Sequence, residues 1–215
     1  MTANGQDPAP DKMAPKNILK FDWVKLYDLY REAELAIKIV EEVWDGLDTT
    51  AINQLRYAGN HILRTLMAAD EAKASENYEQ ATRHCLRGLY DAYDSTLMFY
   101  LGEIRDFKKD YRQISITAEY PNYIEVLQKA EEAQALLEDA RSKHDAREDY
   151  YKEAKALCKE LKKYVAELEL AREELNKRMS RHNKRITAAW IMAVLALIGA
   201  TGGFQLVWQW MDSLL

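Results

Sequence analysis

The chain has 215 residues, 48% of them hydrophobic and 30% charged, with a formal net charge of −5 at pH 7. That balance suits a packed core and excludes a chain that is disordered throughout. The acidic surplus also argues against a broad basic surface reading phosphate backbones, so nucleic acid is not an expected partner of the chain as a whole.

Only 4 Pro and 8 Gly occur. Pro8, Pro10 and Pro15 fall in the first stretch, and Gly199, Gly202 and Gly203 near the far end. The middle is almost free of chain punctuation, which predicts long helices and few turns. Strand-like alternation is confined to Ile114-Ser115-Ile116-Thr117. The predicted class is all-α: a helical bundle with a long coiled-coil-like helix leading into one C-terminal transmembrane helix. Residues 1–16 are polar, lack an apolar signal core and are expected to form a disordered arm. The bundle occupies 17–120, a long helix or helical hairpin 121–185, the transmembrane helix 186–210 and a short tail 211–215.

A first helix is predicted from about 22 to 45, with Trp23, Leu26, Tyr27, Tyr30, Ile37, Val40 and Trp44 among its apolar residues and Gly46 as its stop. A second follows from about 50 to 69, capped by Asp48, Thr49 or Thr50, with Ile52, Leu55, Gly59, Ile62, Leu66 and Ala69 along one face. The third, from about 77 to 112, carries the stripe Leu86, Leu89, Tyr93, Leu97, Tyr100, Ile104, Phe107 and Tyr111, which reads as core. A fourth begins near Asn122. Its second half keeps the register Leu157, Leu161, Tyr164, Leu168, Ala171, Leu175, a bundle-seam or coiled-coil pattern. The apolar stripe fades from Lys143 to Asp149, so either one long stalk or an antiparallel hairpin broken near Lys143 fits. Cys85 and Cys158 have no metal or redox spacing and read as buried, reduced thiols.

No charged residue lies between Arg185 and Asp212. The stretch 186–210 exceeds the roughly 20 apolar residues a helix needs to cross a bilayer. Trp190 at one end and Trp208 and Trp210 at the other suit the two interfacial belts, since Trp190 and Trp208 are about 27 Å apart on a helix rising about 1.5 Å per residue. Lys177, Arg178, Arg181, Lys184 and Arg185 crowd the near flank. By the positive-inside rule the helical domain is then cytoplasmic, at the inner or cell membrane if the host is a bacterium, and the same five residues can rest on anionic headgroups. With few residues after Trp210, the expected topology is that of a tail anchor.

Ala189, Ala193, Ala196, Ala200 and Gly203 repeat at a 4-3-4-3 spacing, and Gly199 with Gly203 makes a GxxxG. Small residues let membrane helices approach closely. Thr201, Gln205 and Gln209 form a second, polar stripe, which in lipid faces a partner helix or water. These two stripes make self-association, with a homo-oligomer around a pore as one form of it, the expected behaviour of the helix. The lipid bilayer and a protein bound by the helical domain complete the expected partners.

Arg56-Tyr57-Ala58-Gly59-Asn60-His61 matches R-x4-H, and the run from Tyr78 to Ala92 follows on the next helix. This resembles HEPN domains, small all-helical bundles of prokaryotic immunity and toxin systems. The resemblance implies a catalytic pair, with Arg56 stabilising a phosphate and His61 as acid or base; the alternative is a solvated helix face. Glu41, Glu42 and Asp45 with Glu103 and Asp106 resemble the Mg²⁺-holding carboxylates of all-helical nucleotide pyrophosphohydrolases, though ordinary exposed charges fit equally. Asp91 and Asp94 with His84 read as a helix edge. No P-loop, nucleophile elbow or H-E-x-x-H occurs, and neither a cofactor nor a metal is expected.

The function expected from these features is that of a membrane-anchored helical effector or interaction protein that self-associates through its transmembrane helix and perturbs or permeabilises the membrane in anti-phage defence. The alternatives are a membrane-tethered HEPN-type ribonuclease and a tail-anchored coiled-coil scaffold.

Overall fold

Three aspartates set the starts of the first three helices. Asp22 accepts from the Lys25 amide, Asp48 from the amides of Thr50 and Ala51, and Asp70 from the Lys73 amide. Each carboxylate satisfies amide donors that a helix start leaves open. In the computed structural model, residues 20–142, 147–200 and 203–213 are described, without the side chains of 140–142, 147–149 and 203–207. The helices are α1 (Trp23–Trp44), α2 (Thr49–Met67), α3 (Glu71–Asp110), α4 (Tyr123–Ser142), α5 (Arg147–Ala200) and α6 (Gly203–Asp212). No strand occurs among the described residues. The strand-like run at 114–117 instead leads into a single 3₁₀ turn, Ile116–Ala118, closed when the amides of Glu119 and Tyr120 bond the Ile116 carbonyl.

α3 begins before the sequence-predicted start because Asp70 caps it and Ala74 is fully buried. α1 ends at Asp45, which adopts a left-handed conformation (φ 49°) one residue before Gly46. Within 121–185 the described residues form α4 and the first part of α5; the expected break at Lys143 lies outside the described residues.

The helices form two compact units. The first takes the described residues up to Gly102 together with Lys129–Lys162. Its core includes Leu26, Ile37, Val40, Leu55, Leu89, Tyr93, Leu97, Leu157 and Leu161. Burial of each such side chain contributes about 1.5–3 kcal/mol. Cys85 and Cys158 are buried here as free thiols. Desolvation pushes both up to about 12, so neither supplies a thiolate near neutral pH.

α2 buries Ala51, Leu55, Ala58 and Thr65 and leaves Leu63, Leu66 and Met67 exposed. Of the face expected from Ile52, Leu55, Gly59, Ile62, Leu66 and Ala69, Leu55 is buried, Ile52, Gly59 and Ile62 are half-buried and Leu66 and Ala69 are exposed, so the buried face is turned from the expected one. The cause is a close approach of α2 to α3, where a Cβ on Gly88 would come within 3.3 Å of Gln54 Cβ and 3.4 Å of the Ala51 carbonyl oxygen. Small residues, not large ones, make this seam.

The second unit takes Glu103–Gln128 with the residues from Lys163 onward. Ile104, Phe107, Tyr111, Ile116, Tyr123, Val126, Tyr164, Leu168 and Leu175 are its buried apolar residues. Polar ties fix its register: Tyr164 donates to Glu125 at 2.8 Å, Tyr120 to Glu167, and Tyr111 to Asn176 at 2.8 Å. The first two pairings step in opposite directions along the chain, so α5 runs antiparallel to the start of α4. Burial and the Glu167 carboxylate both push the Tyr120 hydroxyl well above its ordinary range.

Gly88 and Gly59 separate the two roles of a helical glycine. A Cβ at Gly59 would meet nothing within 4 Å. Gly59→Ala should raise unfolding free energy by about 0.5–1 kcal/mol through backbone entropy. Gly88→Leu should lower it by about 1–3 kcal/mol through overpacking. Urea unfolding followed by circular dichroism checks both signs.

Candidate functional site

Two regions hold the sequence-predicted site residues. On α2, Arg56 is exposed and its guanidinium lies over the Tyr57 ring at 5.3 Å, a cation–π contact. His61 points instead toward α3. Its Nδ1–H donates to Asn77 Oδ1 at 2.9 Å, while the Asn77 amide donates to the Lys73 carbonyl and fixes that orientation. His84 of α3 uses Nδ1–H in the same way, donating to Gln54 Oε1 at 2.8 Å. The two imidazoles stack at 5.3 Å with 17° between their planes. Both rings keep Nε2 as the acceptor in the neutral tautomer. Sequence spacing pairs Arg56 with His61, whereas the fold pairs His61 with His84. The signal missed was cross-helix, Gln54 to His84 and His61 to Asn77.

Among the described residues no group of three or more His, Cys, Asp or Glu side chains comes together to hold a metal. Glu42, one of the carboxylates considered for Mg²⁺, pairs with Lys162 at 3.6 Å.

The second region is the apolar end of α5. Ile186, Trp190, Ile191, Met192, Val194, Leu195 and Leu197 are 42–69% exposed. None of the most apolar window of this helix is buried inside the protein, and its length and composition suffice to cross a membrane. A Cβ at Gly199 would meet nothing within 4 Å, so the chain's own packing does not require a glycine there. Ala193, Ala196 and Ala200 are exposed on the same helix. Gly203, Gln205 and Gln209 fall on α6, with the Gln205 side chain outside the description and Gln209 exposed; Thr201 lies outside the described residues. Trp208 and Trp210, also on α6, are exposed.

The five basic residues preceding this run are not equivalent. Lys177 is bonded by Glu173 and Glu174, both at 2.8 Å, and these carboxylates hold its ammonium charged well beyond the usual lysine range. Arg178 pairs with Glu119 at 2.7 Å. Among the described residues Arg181, Lys184 and Arg185 form no ion pair. At about 100° per residue, Arg178, Arg181, His182 and Arg185 share one face, and Lys177 and Lys184 lie about a quarter turn away. That arginine face borders a cleft of about 440 Å³ whose opposite wall is Gln113, Ile114 and Ser115. Its i, i+3, i+4, i+7 spacing was legible in the sequence; the facing loop was not.

The stacked pair gives a pH dependence. Desolvation, then His61, then Arg87 lower the His84 pKa below its ordinary 6.5. Above that value both folded and unfolded chains hold a neutral imidazole. As pH falls through it the unfolded chain takes up the proton first, and stability is lost. Urea midpoints should fall between pH 7.5 and 5, and His84→Gln should flatten the slope. Comparison with protein families, with curated proteins and with solved structures finds no match, so the functional reading rests on these residues.

Proposed function

We propose that the chain is a membrane-anchored helical protein whose apolar α5 segment inserts in the bilayer and self-associates there, with the helical units on the cytoplasmic side binding a protein partner. The observation that carries this reading is the uncovered apolar face of residues 186–200. Leaving that many large apolar side chains in water costs on the order of 10 kcal/mol, comparable to the whole stability of a domain. Insertion removes the cost, and the helix satisfies its own backbone in lipid. The small residues Ala193, Ala196, Gly199 and Ala200 support close helix–helix contact. Exposed Val24, Tyr27 and Leu35 on α1 support a protein partner. The HEPN-like motif suggests a prokaryotic immune setting, in which assembly of the helix perturbs or permeabilises the membrane.

The full chain should sediment with membranes, resist carbonate washing and be released by detergent. Leu195→Arg with Leu197→Arg should shift it to the soluble or aggregated fraction, since each arginine costs about 2.5–3.5 kcal/mol at the helix centre. Wild type recovered as a cytosolic monomer overturns the reading. Gly199→Leu with Gly203→Leu should abolish crosslinking between copies in the membrane; undiminished crosslinking removes the small-residue face from the account.

A second reading, a membrane-tethered HEPN-type ribonuclease, is favoured by the half-buried His61–His84 stack beside Tyr57 and by Arg56 exposed on the same helix. Arg56→Ala and His61→Ala should then each abolish RNA cleavage with circular dichroism unchanged. A wild-type chain without cleavage activity on RNA sinks it.

A further inference from the structure

We propose that the cleft between the 113–119 loop and the arginine face of α5 binds a phosphate ester, supplied by the headgroup of an anionic phospholipid; this rests on the membrane reading above.

Charge is the first support. Glu119 is the acid at this cleft, and it is already engaged by Arg178 at 2.7 Å. Arg181 and Arg185 are exposed and, among the described residues, unpaired by any carboxylate. Arg181 Nε makes only a long bond to the Lys177 carbonyl, at 3.4 Å. Two guanidiniums therefore face the cleft with their charge uncompensated, beside the half-buried His182.

Chemistry narrows the ligand. A guanidinium presents a planar fork that matches two phosphate oxygens, whereas an ammonium is a point charge. Along this stretch the cleft is lined by Arg178, Arg181 and Arg185 with His182, and the lysines, Lys177 and Lys184, lie off it. The opposite wall adds neutral donors, the Gln113 amide and the Ser115 hydroxyl. Ser115 Oγ lies 3.0 Å from Thr117 Oγ1, which orients it. The volume of about 440 Å³ is within the range of small-molecule pockets.

The cleft is also built in advance. Arg178 to Glu119, Tyr120 to Glu167 and Tyr111 to Asn176 tie the loop and its flanks to α5 within one compact unit. Binding need not order the loop, which lowers its entropic cost.

Depth selects the source. Arg185 is the last charged residue before the uncharged run, and Trp190 follows about 7.5 Å further along the helix. With Trp190 in the interfacial belt, Arg181 and Arg185 reach the phosphate layer of the cytoplasmic leaflet. Arginine forks, neutral donors and this depth together describe a headgroup seat rather than a diffuse basic collar.

The test uses the full chain reconstituted in phosphatidylcholine vesicles, with energy transfer from tryptophan to pyrene-labelled phosphatidylglycerol or phosphatidylcholine. Flotation on unlabelled phosphatidylcholine vesicles checks anchorage separately; failure there overturns the membrane reading itself. An anchored wild type should enrich labelled phosphatidylglycerol over labelled phosphatidylcholine. Arg185→Gln should lower that preference about tenfold, the factor equivalent to roughly 1.4 kcal/mol for a lost hydrogen bond between charged groups. Lys184→Gln removes the same charge at nearly the same depth on another face and should leave the preference within about twofold, as expected of a residue off the cleft. Equal losses from both substitutions, or no preference in an anchored wild type, overturn the site. Inorganic phosphate or pyrophosphate should not displace the labelled lipid; displacement at matched phosphate concentration assigns the cleft to a soluble phosphate and overturns the lipid source. Both residues are exposed, and unchanged circular dichroism of each variant keeps the comparison free of folding loss.

Discussion

An apolar helical surface that its own protein does not cover is the constraint on which the rest depends. α5 buries one face from Leu157 to Leu175 and then, after Arg185, offers apolar side chains on every side. Water penalises each of them by an amount proportional to area. The proposed insertion in lipid, the close contact of copies through small residues and the headgroup seat all follow from resolving that penalty. The histidine pair on α2 and α3 does not; it belongs to the packing of the first unit.

Much of this was legible along the chain. The seam Leu157, Leu161, Tyr164, Leu168, Leu175 is buried residue by residue, with Ala171 half-buried beside it. Periodicity reveals such a face because large apolar residues recur there with nothing competing. The cap at Asp48 and the uncharged run from Ile186 are equally local signals, whereas the cap at Asp70 was missed and α3 starts earlier than expected.

What escaped depends on partners distant in sequence. The buried face of α2 is set by Ala51, Ala58 and the absent side chain of Gly88, and a periodic reading that favours large residues points it elsewhere. His61 finds Asn77 and His84 only once α2 and α3 pack. The five basic residues before the apolar run look like one cluster in sequence, yet carboxylates at 119, 173 and 174 neutralise two of them. Pairing of this kind is decided by side-chain reach, not by spacing within the cluster.

α5 is continuous from Arg147 to Ala200, with no interruption between its buried seam and its uncovered face. A continuous helix transmits torsion, because each residue is fixed about 100° from the last. Repacking that slips the seam by a single position would swing Ala193, Ala196 and Gly199 through that same angle. In the proposed arrangement, a partner gripping the portion before Arg185 would hold a crankshaft, with the orientation of the small-residue face as its output.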